Sequence, residues 1–237
     1  MPRLTDFLGD LDVFRSLVED SAAGRGALAA PSFLHPYLTA GVLADAAFGV
    51  RPVLVVVPDD RAGEALAREL ALYLPERNIL HLPSRDVWYG SGAEVAARVV
   101  GRRSRVLATL LRGEGAPVVV LGASALVEAA RLGAGVPLTL QVGATWDVEI
   151  LLRSLVALGY KREDQVEDSG DFAVRGGLVD IFPTTEPTPV RVEFWGDEIE
   201  SMRDFSVYTQ RSLGSRTQVT IWAAREDSDA DPRPLPM

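Results

Sequence analysis

Apolar residues follow two different rhythms along this chain. Up to about residue 131, helix-spaced stripes alternate with short unbroken apolar runs. Leu8, Leu11, Phe14 and Leu17 recur every three residues and predict a helix over 5–19. GALAA at 26–30 is a weak strand candidate closed by Pro31, and helix character returns over 35–47. Residues 51–57 make a nearly continuous apolar strand. Asp60 is then the candidate N-cap of a helix over 61–74 that buries Ala62, Ala65, Leu66, Leu70 and Tyr73. A strand at 78–82, a long helix at 91–111, a strand at 117–121 and a helix at 123–131 complete the first rhythm. Strands that are apolar throughout and alternate with helices predict a largely parallel sheet covered on its two faces.

The second rhythm begins near residue 133. LGAGVP reads as a turn or linker, VPLTLQVG as a strand, and 146–158 as a helix with Thr145 as candidate cap and Gly159 as terminator. Short strands follow near 165–168, 171–175, 178–182, 189–195 and 198–205. Gly176-Gly177 and Gly196-Asp197 between them are hairpin turns, and PTTEPTP is a longer loop. The chain is therefore of the α/β class, with a parallel-sheet domain at 1–127 and a small α+β domain at 128–218. Residues 219–237 read as an acidic, proline-rich tail or the start of a further domain.

Charge sharpens this division. The 237 residues carry 24 basic and 33 acidic side chains, a net −9 that opposes affinity built on neutralising phosphates. Residues 51–120 hold ten arginines against eight acids, whereas 161–210 hold five basic residues against twelve acidic ones. Arg98, Arg102, Arg103, Arg105 and Arg112 of the long helix are expected to be solvated. Phosphate contact through them is an alternative, although no aromatic residues interleave them for stacking. The absence of cysteine excludes disulfides and thiolate chemistry, and two histidines, at 35 and 81, leave little for a zinc site. The apolar runs are too short to cross a bilayer, and three aspartates and a glycine interrupt the first twelve residues where a secretory core would lie. A cytoplasmic location, away from membranes, is expected.

Catalytic chemistry is harder to find. A phosphate loop places glycines, a lysine and a hydroxyl after a strand. The segment after the first candidate strand, PSFLHPYLTA at 31–40, has neither glycine nor lysine, and its two prolines lack N–H groups to cradle phosphate. The sole lysine, Lys161, lies in the other domain. Glu163-Asp164, Glu167-Asp168 and Asp197-Glu198 are adjacent pairs, which on strands point to opposite faces and share no cleft. Neither histidine has an evident partner to orient it as a general base. No catalytic, cofactor-binding or metal-binding residue is assigned.

What remains is charge on sheet-forming segments: GDFAVRGGLVDIFP at 170–183 and VRVEFWGDEIESMRDF at 190–205. Arg191 and Glu193 lie two apart and share a strand face, while Val190, Val192 and Phe194 fill the opposite one. Arg175 joins the polar face if the two strands are neighbours. Asp180 pairs with an arginine or caps the following turn. Guanidinium and carboxylate groups on a rigid sheet suit recognition of another protein, with Phe172 as an apolar anchor. Ion pairing within the domain explains the same residues equally well.

These strings, FAVRGGLVDIFP and VRVEFWGDEIESMRDFSVYTQRS, closely resemble the N-terminal module of the bacterial transcription-repair coupling factor family, itself similar to the start of the excision-repair helicase subunit UvrB. LPSRDVWYG and VLGASALVEAA resemble its first domain, and YKREDQVEDSGDFAVRGGLVDIFP its second. The closing Thr209-Gln210-Arg211-Ser212 fits the coupling factor better than UvrB. The resemblance implies a degenerate helicase-like parallel-sheet domain lacking a P-loop, followed by an α+β domain that docks the damage-recognition subunit UvrA. It implies a binding surface containing Phe172, Arg175, Arg191 and Glu193, with Ala173 where a family motif has a further arginine. It also implies that this segment is not an enzyme and binds no cofactor. ATP and Mg2+ chemistry, RNA polymerase and DNA contacts fall to motor and polymerase-binding parts beyond residue 237. Trp88 and Tyr89 stand where UvrB has a longer aromatic hairpin, so duplex wedging is not expected and direct DNA binding is expected to be weak or nil. The alternative is a helicase-related nucleic-acid-binding or nucleotide-dependent subunit of excision repair.

Overall fold

A computed structural model describes residues 8–49, 51–87, 93–113, 115–128 and 136–226. Within them the chain divides into two compact units, one taking residues up to Ser84 and 108–128, the other 85–107 and 129 onward. The change of rhythm near residue 133 falls close to the passage at 128–129. The stretch 85–107, however, goes with the second unit rather than the first.

In the first unit, α1 (Asp12–Ala22) leads to a single 3-10 turn, then α2 (His35–Ala44) and the short α3 (Ala46–Gly49). Residues 26–30 form no strand, because small alanines and glycine give a strand nothing to pack. β1 (Val53–Val57), α4 (Asp60–Tyr73), β2 (Ile79–Leu82), β3 (Val118–Gly122) and α6 (Ala123–Val127) follow, while α5 (Ala97–Arg112), between β2 and β3 in the chain, has its residues up to 107 in the second unit. The sheet is parallel in the order β1-β3-β2. Central β3 is buried along its whole length, which is why its sequence is apolar without alternation. Val118 and Val120 pack with Ala40, Leu43, Ala67, Leu70 and Leu74. The cap of α4 is Asp59, whose carboxylate accepts the Ala62 N–H at 2.8 Å, and not Asp60. Asp60 instead accepts from the N–H and hydroxyl of Ser84, at 2.8 and 2.6 Å.

The second unit contains β4 (Leu138–Gln141), α7 (Val148–Ala157), β5 (Lys161–Arg162), β6 (Asp171–Arg175), β7 (Leu178–Ile181), β8 (Val190–Trp195), β9 (Glu198–Phe205), β10 (Ser212–Ser215) and β11 (Gln218–Ile221). Asp147 caps α7 by accepting the Ile150 N–H at 3.0 Å, while Thr145 is drawn into a bridge with Glu198. Gly159 ends the helix at φ +87°. Six strands form one sheet in the order β10-β9-β8-β7-β6-β5, antiparallel except between β5 and β6. The strand predicted near 165–168 is a turn, held by the Asp171 carboxylate accepting the N–H groups of Glu167 and Asp168.

β11 pairs antiparallel with β4, and Val219, Ile221, Ala223 and Ala224 join the core. Residues 219–224 are thus part of the domain and not of a tail. Leu151, Leu155 and Leu158 of the α7 segment pack among Phe172, Ile181, Val190, Val192, Phe194, Ile199 and Met202 on one face of the sheet. Arg103 corrects another expectation. It is 2% exposed, with Nε 3.3 Å from a Glu226 oxygen, and Arg85 pairs with the same carboxylate at 2.9 Å. A shared carboxylate makes burial of that charge tolerable. Among the described residues no helix is long and apolar enough to cross a membrane. Trp88, Tyr89 and residues 227–237 lie outside the described residues.

Candidate functional site

Directly paired residues on neighbouring strands share a face, so strand register builds the site. Ala173, Asp180, Arg191 and Arg203 form one row across β6 to β9; Arg175, Leu178, Glu193 and Ser201 form the next. Arg175, Arg191 and Glu193 therefore do meet on the polar face, opposite the face that buries Val190, Val192 and Phe194. Phe172 does not. It is 1% exposed and faces the α7 side, because it is one residue out of phase with Ala173 and Arg175. An apolar anchor at Phe172 is excluded by that burial. Ala173 is on the polar side but is buried with Val166 and Phe182, so it offers no side chain to a partner.

Arg191 is the most constrained member. Its Nε and Nη2 donate to the two Asp180 oxygens at 2.7 Å each, and Nη2 also donates to Gln210 Oε1 at 3.1 Å. Its guanidinium carbon lies 4.5 Å from the centroid of the Phe205 ring. The hydrogen bonds to Asp180 raise its pKa above the ordinary arginine value, against the opposing effect of burial. Only 16% of the side chain is exposed. The ion-pair reading of this arginine is correct as far as it goes.

Glu193 and Arg203 are more open. Arg203 Nη2 lies 3.3 Å from Glu193 Oε2, which also accepts from the Ser201 hydroxyl at 3.1 Å. Arg175 is exposed and donates from Nη2 to the Asp164 carbonyl at 2.9 Å. Two positions beyond Glu193, Trp195 lies 79% exposed opposite Glu198. Sequence reasoning missed it, although the alternation Arg191, Glu193, Trp195 carried the signal. The exposed aromatic of this face is Trp195, and not Phe172.

The site offers alternating charges and an exposed aromatic plane on one sheet face. A cleft of about 680 Å3 elsewhere in the unit is lined by opposing charges that include Glu94, Lys161, Asp171 and Arg225. Among the described residues no cluster of three side chains is placed to hold a metal.

Comparison with known proteins fits this geometry. The profile of the UvrB interaction domain family matches residues 138–226, from β4 to just past β11. A transcription-repair-coupling factor of Myxococcus xanthus is 34% identical over 184 residues, which cover 74% of this chain and 15% of the relative. That of Mycobacterium tuberculosis is 40% identical over 170 residues, 68% of this chain and 14% of the relative. That of Bacillus subtilis is 29% identical over 179 residues, with coverages of 74% and 15%. The chain thus spans about 15% of the length of these curated relatives. Residues 138–226 are a UvrB interaction domain, and 74% of the chain is similar to a segment of bacterial transcription-repair-coupling factors.

Proposed function

We propose that this chain is a non-catalytic docking module of a transcription-repair-coupling factor, recruiting the damage-recognition subunit UvrA to lesions where RNA polymerase has stalled. The observation that carries the reading is the polar sheet face, which exposed Trp195 shares with Arg175 and with the Glu193–Arg203 pair. Aromatic and arginine side chains on a rigid support dominate the energetics of protein interfaces. The family match and the names of the relatives support the partner and the repair context. Contacts with RNA polymerase and DNA, and any ATP and Mg2+ chemistry, belong in this proposal to other parts of the longer protein. Phosphate binding through the α5 arginines is less favoured, since Arg103 is buried against Glu226.

Calorimetric titration of purified UvrA into this chain tests the proposal, with Trp195→Ala and Arg175→Ala alongside. The expected outcome is micromolar or tighter binding, weakened at least tenfold by Trp195→Ala, or about 1.4 kcal/mol. A folded chain that does not bind UvrA would overturn it.

A further inference from the structure

Gln210 sits in the turn between β9 and β10 with φ +58°, a left-handed conformation that side-chain-bearing residues rarely hold. The turn is tied tightly around it. Gln210 N–H donates to Ser206 O at 2.8 Å, Ser206 N–H to Arg211 O at 3.0 Å, and Thr209 N–H to the Ser206 hydroxyl oxygen at 3.3 Å. Glycine would take this φ without strain. What glycine lacks is the side chain, and here both ends of the amide are used. Nε2 donates to Val207 O at 2.9 Å, and Oε1 accepts from Arg191 Nη2.

A guanidinium has five N–H donors. Asp180 takes Nε–H and one Nη2–H, and Gln210 takes the second Nη2–H. Phe205 fixes the plane from below. Nη1 makes no hydrogen bond among the described residues. It is also not one of the buried polar atoms left without a partner. A pair that served only to join β7 to β8 would need Asp180 but not Gln210.

We propose that Asp180 and Gln210 are positioning residues of the docking face: they lock Arg191 and leave Nη1 as the one guanidinium nitrogen offered to a partner, which presents a single carboxylate or carbonyl oxygen to it. The inference rests on the docking reading above. A free arginine loses rotamer freedom when it is captured in an interface; one already locked loses little, so the clamp strengthens docking through preorganisation.

UvrA binding and melting temperature are measured for the native chain and for Gln210→Gly, Gln210→Glu and Asp180→Asn. Gln210→Gly relieves the backbone while removing the amide, so it is expected to melt at or above the native temperature yet bind at least fivefold more weakly. Gln210→Glu keeps an oxygen toward Arg191 and is expected to bind within twofold of native. Asp180→Asn is expected to lose at least tenfold. In the free chain, the Arg191 Nε–H nuclear magnetic resonance signal should exchange slowly with water in the native protein and in Gln210→Glu, and fast in Asp180→Asn. Native affinity in Gln210→Gly would overturn the clamp while leaving the docking reading intact. So would a loss of affinity that Gln210→Glu fails to rescue and that follows a fall in melting temperature. Absence of binding by the native chain would instead overturn the docking reading and the clamp's role with it.

Discussion

Tyr160 shows how much one buried hydroxyl can fasten. It donates to Trp222 O at 3.0 Å and accepts the Thr184 N–H at 3.2 Å, which joins the start of the six-stranded sheet to the segment after β11. Burial pushes its pKa from 10.0 up to about 12, against the smaller lowering effect of the Thr184 hydrogen bonds. The folded state favours the neutral phenol, so its contribution is complete below pH 10 and is lost as pH rises toward about 12. Tyr160→Phe is expected to cost about 1–3 kcal/mol at neutral pH by leaving the buried Thr184 N–H without its acceptor, while the Trp222 carbonyl keeps only the 3.4 Å bond from the Thr184 hydroxyl. Urea denaturation against pH checks both points: the variant should lose less stability than the native chain above pH 10. Phe172 and Trp195 form a contrasting pair. Phe172→Ala is expected to cost about 3–5 kcal/mol of stability by opening a core cavity. Trp195→Ala should leave the urea midpoint nearly unchanged while weakening partner binding.

At the scale of elements, close approach decides more than propensity does. An alanine at Gly101 of α5 would place its Cβ 2.0 Å from the Thr184 hydroxyl oxygen and 2.3 Å from Thr184 Cβ. Alanine is favoured over glycine in a helix interior by about 1 kcal/mol, yet overpacking here is expected to outweigh that and destabilise Gly101→Ala by about 1–3 kcal/mol. Thermal melting reads the sign. The hairpin turns were legible because Gly176 and Gly196 take φ +59° and +62°, a requirement glycine advertises in sequence. The helix caps were less so. Asp59 and Asp60 are adjacent and chemically alike, and only backbone direction at the start of α4 makes Asp59 the cap and frees Asp60 for Ser84. Thr145 lost its predicted role for a similar reason, since its backbone is engaged by Glu198 from another element.

At the scale of the whole molecule, the second unit is discontinuous. Residues 85–107 belong to it, contributing Val100 to its core, Gly101 against Thr184, and two arginines to Glu226. The family match begins only at residue 138. A fragment of 138–226 by itself would bare the Thr184 surface and leave Glu226 without Arg85 and Arg103. It is expected to denature at lower urea than the same domain within the full chain, with fluorescence of Trp146, Trp195 and Trp222 as the readout. A fragment equal in stability to the intact unit would show that 85–107 adds nothing.

Much of this could be read along the chain because strand and helix periods are local. Period two put Val190, Val192 and Phe194 on one side and Arg191, Glu193 and Trp195 on the other, whatever lay above them. The succession of apolar runs and helical stripes fixed the α/β class in the same way. Coverage was not legible. In Asp171-Phe172-Ala173-Val174-Arg175 both sides of the strand carry apolar residues, and Phe172 became core because α7 packs against its side. Arg103 looked like the other helix arginines until the Glu226 carboxylate arrived from the far end of the domain. Asp180 reached Arg191, and Gln210 closed over it, through register and a turn that no spacing encodes. Alternation settles which side chains share a face; long-range packing and pairing settle which face meets solvent, and so which residues a partner can touch.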